Sequence, residues 1–197
     1  MNRVALAAMI SGVLALAGCA SAPVQYYTLT APAQPATGAQ APAAGREPLL
    51  IEVLPVGMPE MLDRVQMVVR QGDAGIAVLD GQRWASPLSD ELRAALAAEL
   101  SQQWGASDVS GLPRKAGAPL WRIKVEVRRV DAWPGRQLQL DSDWSASLTS
   151  DASRRLSCTS RISLQAPADY GGLAATHQTA VRHLAQQIGH ALQSQAC

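Results

Sequence analysis

The chain has 197 residues, 48% hydrophobic but only 4% aromatic, with 17 basic against 16 acidic side chains. That length suits one domain plus some extra chain. A net charge of +1 gives no electrostatic case for a nucleic acid partner or a polybasic membrane patch. Phenylalanine is absent, lysine occurs only at Lys115 and Lys124, and asparagine only at Asn2, a bias that reads as base composition rather than function.

In chain order, Arg3 comes first as a minimal charged region, followed by an apolar stretch over residues 4–16 that is too short to span a bilayer comfortably. The stretch closes on Leu16-Ala17-Gly18-Cys19. Secretory signals usually end in small residues such as Ala-x-Ala. The cysteine here instead resembles the lipobox of bacterial lipoproteins. Residues 1–18 are therefore expected to be a cleaved signal peptide and Cys19 the lipid attachment site, carrying palmitate-type acyl chains. The plainer alternative is an ordinary secreted protein with an accidental cysteine.

Residues 19–47 are expected to hold the lipidated N-terminus, a short strand and a tether. Tyr26-Tyr27-Thr28-Leu29-Thr30 has high strand propensity and is expected to dock onto the domain. Residues 31–47 are Ala, Pro, Gly, Gln and Thr up to Arg46-Glu47, with almost no large apolar side chain. Such a segment averages about 20–25 Å end to end when flexible. The folded domain is expected over residues 48–197.

Residues 49–56 read as an apolar strand ended by Gly57 and Pro59, and residues 65–70 and 76–79 as two more around the turn Gly72-Asp73-Ala74-Gly75. Ser86-Pro87 is expected to open a helix with serine as its cap, and Leu88, Leu92, Leu96 and Leu100 draw one apolar stripe that Trp104 and Gly105 end. Trp121, Ile123, Val125 and Val127 alternate with charged residues, giving a half-buried strand. After a turn at Asp131-Ala132-Trp133-Pro134-Gly135 come two more alternating strands, the second carrying Leu156, Cys158, Ile162 and Leu164 on one face. Leu173, Val181, Leu184, Ile188 and Leu192 mark a closing amphipathic helix. The expected class is α/β: a single domain, a mixed sheet with an antiparallel meander, covered by two main helices.

Chemistry is hard to find. No nucleophile elbow, Walker loop, dinucleotide fingerprint or H-E-x-x-H motif occurs. His177, His183 and His190 all fall on the last helix. His183 and His190 are about 10.5 Å apart along the axis and cannot share an ion, so the three read as solvated positions. Asp141 and Asp143 share an outer strand face with no pocket to make them an acid pair. The reading is therefore not an enzyme, with no catalytic residue, metal or cofactor. Trp133, at a hairpin tip, is either an anchor for a partner or headgroup region or a side chain folded onto its own hairpin.

With Cys19 acylated, Cys158 and Cys197 are the two cysteines left to pair in an oxidising compartment. Loop-closure entropy assigns about 4 kcal/mol to such a bridge. A buried Cys158 beside a frayed Cys197 thiol, and an intermolecular bridge through Cys197, stay open at this point.

Met58-Pro59-Glu60-Met61-Leu62-Asp63-Arg64-Val65-Gln66, Arg83-Trp84-Ala85-Ser86-Pro87-Leu88 and Tyr26-Tyr27-Thr28-Leu29 resemble motifs of the PqiC-type auxiliary lipoproteins of ABC-type transport systems. Val65 departs from the family's usual proline. The resemblance implies a lipoprotein on the periplasmic face of the outer membrane, working in lipid movement with an MCE-domain membrane protein and its associated integral membrane component. It also implies homo-oligomeric rings, and Ala20 after the cysteine agrees with outer-membrane sorting. The alternative is a structural or assembly lipoprotein with no direct part in lipid movement. Tyr26, Tyr27, Asp63, Arg64, Trp84 and Trp133 are the candidate partner or structural residues. Asp63 and Arg64 are expected to pair across a loop, and Trp84 to pack under the helix start.

Overall fold

A computed structural model describes residues 23–32, 49–113 and 117–197. The signal sequence, Cys19 and most of the expected tether lie outside the described residues, as does Lys115. Among these residues, eight strands and two helices follow in chain order: β1 (Gln25–Tyr27), β2 (Leu49–Val53), β3 (Gln66–Gln71), β4 (Gly75–Trp84), α1 (Leu88–Trp104), β5 (Ala106–Asp108), β6 (Trp121–Trp133), β7 (Gln137–Leu148), β8 (Asp151–Gln165) and α2 (Tyr170–Ser194).

The class is the expected α/β single domain, but the strands divide between two sheets. The larger runs β5-β2-β6-β7-β8, with β2 parallel to both neighbours and β6 to β8 antiparallel. The smaller runs β1-β4-β3. Three residues of β5 were not expected as a strand; they are too short and too polar to carry a pattern. β4 reaches Trp84, past the expected end at Leu79, because residues 80–82 bulge out between the pairs Met67↔Leu79 and Gln66↔Arg83.

Both helices cover one face of the large sheet, α1 over β2 and β5, α2 over β7 and β8. The leucine stripe of α1 is buried, and so are Leu173, Val181, Leu184, Ile188 and Leu192 of α2. Each such side chain contributes about 1.5–3 kcal/mol of transfer free energy. Gly105, at φ +61°, ends α1 in the left-handed conformation that glycine adopts without steric cost. The expected serine cap is absent: the cap position is Pro87, in extended backbone, and Ser86 turns its hydroxyl elsewhere.

One irregularity decides the geometry of the far end. The β6–β7 register shifts between Val127 and Arg129, leaving Arg128 as an extra residue. Before the bulge Ile123, Val125 and Val127 face the helices. After it Val130 and Ala132 do, opposite Leu140 and Leu138, so Asp131 and Trp133 turn to the other face.

Candidate functional site

The three motif segments converge on the first turn of α1. β1 pairs in parallel with the end of β4, Tyr27 opposite Trp84, and the Ala85 amide donates to the Tyr27 carbonyl at 2.8 Å. Past β1 the arm bends inward. Glu91, only 6% exposed, accepts from Thr28 Oγ1 at 2.7 Å, from the Leu29 amide at 2.8 Å and from Ser86 Oγ at 2.9 Å. A buried carboxylate with three donors, at the positive end of a helix, is well satisfied. Leu29 drops into the core and Gln178 of α2 donates to the Thr28 carbonyl. Glu91 was not singled out from the sequence; the one signal was an acidic residue in the first helical turn.

Asp63 and Arg64 do not pair among the described residues. Asp63 Oδ1 instead accepts from Ser89 Oγ at 2.7 Å and from the Ser89 amide at 3.3 Å, supplying from a distant loop the cap that Ser86 does not. Arg64 Nε is buried without a partner among the described residues. Trp84 lies at the helix start, 2% exposed, its ring edge-on to His177 at 5.1 Å.

His177 corrects the reading of three solvated histidines. It is buried, its Nδ1–H donates to the Leu173 carbonyl at 2.9 Å, and burial pushes its pKa down to about 4. His190 is exposed, with its ring edge-on to Trp104. Asp141 and Asp143 are taken up by neighbours on the outer sheet face. Arg129 reaches Asp141, while hydrogen bonds from Arg128 and Thr159 hold the Asp143 carboxyl below its usual range. Among the described residues no group of three His, Cys, Asp or Glu side chains is placed to hold a metal.

The loop 59–62, the β3–β4 hairpin and the end of β6 line an open cleft. Met61, Val68 and Ile76 make an apolar wall, and Arg128 and Arg129 stand opposite. Arg70 bridges the sheets through Asp131 at 2.6 Å. Trp133, turned outward by the bulge, neither stands free nor folds onto its own hairpin. Its indole donates to the Gly72 carbonyl at 3.2 Å in the β3–β4 turn, and Arg70 lies 6.0 Å over its ring.

Cys158, on the inner face of β8, is joined to Cys197, with Cα atoms 5.7 Å apart. No helix among the described residues is long and apolar enough to cross a membrane.

The family model of the ABC-type transport auxiliary lipoprotein component matches residues 27–189. Comparison with curated proteins returned no significant match. Among solved structures, one uncharacterized protein superposes with a TM-score of 0.65 at 18% identity, covering 86% of this chain and 98% of its own. A Xanthomonas campestris protein of the DUF330 family gives a TM-score of 0.54 at 20% identity, covering 77% and 88%. At these identities the likeness is one of fold.

Proposed function

Because the chain belongs to the family of ABC-type transport auxiliary lipoprotein components, we propose that it is an outer-membrane lipoprotein, acylated at Cys19, that serves as the docking component of an intermembrane lipid transport system. Its partners in this reading are an MCE-domain membrane protein and the associated integral membrane component. The observation that carries the proposal is the extent of the family match, which runs from the end of β1 to the last turns of α2.

The residues are consistent with a holding role. The three motifs fix the arm and the helix start, and the nearby cleft offers an apolar wall rather than a constellation of reactive groups. Each buried methylene of an acyl chain contributes about 0.8 kcal/mol, so several chains hold the protein at the bilayer, and anchoring raises its effective concentration near a partner crossing the periplasm. A homo-oligomeric ring belongs to the same proposal. β8 is a strand of 15 residues at the edge of the large sheet, and among the described residues no strand pairs with its outer side, where a second copy could meet backbone groups.

Capture of the tagged, lipidated chain from mildly solubilised envelopes, read by mass spectrometry, tests the partner. Recovery of an MCE-domain protein is expected, and its absence would overturn the assignment. Vesicle-to-vesicle lipid transfer by the purified partner, with and without this chain, tests the role. Unchanged transfer would favour a purely structural lipoprotein.

A further inference from the structure

The expected tether does not set the distance between anchor and domain. Residues 33–48 join Pro32, just past the buried Leu29, to Leu49 at the start of β2, so both of their ends are fixed on the same fold. The only leash is the chain from Cys19 to Gln25. Its six steps reach about 20 Å fully extended, part of which the headgroup layer takes up.

What stands at the end of that leash is an apolar edge. Val24 is 38% exposed and Tyr26 64% exposed, and Pro23 and Gln25 beside them are exposed as well. Tyr26 and its register partner Arg83 project from the same face of the small sheet. Tyr27 on the opposite face is fixed by its hydroxyl, which donates to Gln82 at 2.7 Å. An exposed tyrosine beside a guanidinium suits a layer that is apolar on one side and phosphate-bearing on the other.

We propose that the β1 edge of the small sheet lies against the phospholipid surface that carries the anchor, with Val24 and Tyr26 at the headgroup layer. The domain then stands close to the bilayer in one orientation, its cleft at a set height. This inference rests on acylation of Cys19, part of the reading above.

The test uses the full lipidated chain in vesicles of phosphatidylethanolamine and phosphatidylglycerol. A photoreactive benzoylphenylalanine replaces either Tyr26 or Leu112, which is 59% exposed beyond the far end of α1. Phospholipid adducts are expected at position 26 and only background at position 112. Lengthening the leash to about eighteen residues with Gly/Ser inserted between Ala22 and Pro23 is expected to lower the adduct about fivefold, following the −3/2 power of length. The same insertion after Ala39 is expected to leave it unchanged.

Equal yields at the two positions, protein adducts at position 26, or equal sensitivity to both insertions would overturn the inference. The mass of the N-terminal peptide separates the two possible failures. An acylated peptide without lipid adducts sinks this inference alone, whereas an unmodified peptide sinks the anchor and the inference together.

Discussion

The two sheets share one core but meet solvent differently. The large sheet buries one face under both helices, where Ile51, Ile123, Leu138, Leu184 and Ile188 are almost wholly shielded from water. The small sheet buries Met67 and Val69 on one face but leaves Ile76 and Val78 each 39% exposed on the other. Its inner face, with Met67, Val69 and Trp84, belongs to the same core as the helices, and oriented bonds add to that packing: Glu91 to the residues after β1, Arg70 to Asp131, and Trp133 to the Gly72 carbonyl. The large sheet is covered over one whole face, whereas the small sheet is packed on one face and open on the other.

The comparison breaks hardest at the core. Leu184→Ala should cost about 4 kcal/mol in urea unfolding, because a fully buried leucine leaves a cavity under the sheet. A loss below about 1 kcal/mol would mean that the helices contribute less than their burial implies. Next comes the C-terminal staple: Cys197→Ser should cost up to about 4 kcal/mol. Non-reducing peptide mapping of the parent chain should find Cys158 joined to Cys197, and two free thiols would refute the bridge.

Acid acts through His177. The unfolded chain takes up its proton near pH 6.5, but the folded chain not until about pH 4. Stability is therefore full above pH 6.5 and falls as the pH drops, by about 1 kcal/mol at pH 5.5 and on the order of 3 kcal/mol near pH 4. His177→Gln should flatten thermal midpoints across that window, and an unchanged slope would place the acid sensitivity elsewhere. Smallest of all, Ile76→Ser with Val78→Ser should change stability by less than about 0.5 kcal/mol, since neither residue is in the core. A large loss would show that the hairpin's outer face is covered within the fold.

The leucine stripe of α1 and the alternation along β6, β7 and β8 could be read because one buried face repeats at a regular period. In the small sheet β1, β3, the first half of β4 and the turn between β3 and β4 could be read as well, but the bulge at residues 80–82 hides the continuation of β4 to Trp84. Asp63 and Arg64 are neighbours in sequence, but a helix terminus with free amides outcompetes an exposed ion pair for the carboxylate. His177 shares a helix with His183 and His190, and only the packing of Trp84 against it distinguishes a buried imidazole from a wet one.

By itself the sequence determined the class of fold, the two helices, the meander and the motifs that resemble a lipoprotein family. These depend on local composition and period, which any stretch of chain displays without its partners. Tertiary structure alone decided that there are two sheets, that the segment after β1 is locked by Glu91, and that Leu29 and β2 are packed into one core. It also decided, through a single extra residue at Arg128, that Asp131 and Trp133 face the hairpin instead of the core. Those outcomes depend on register and on contacts between residues far apart in the chain, and one residue of register reverses every side chain that follows.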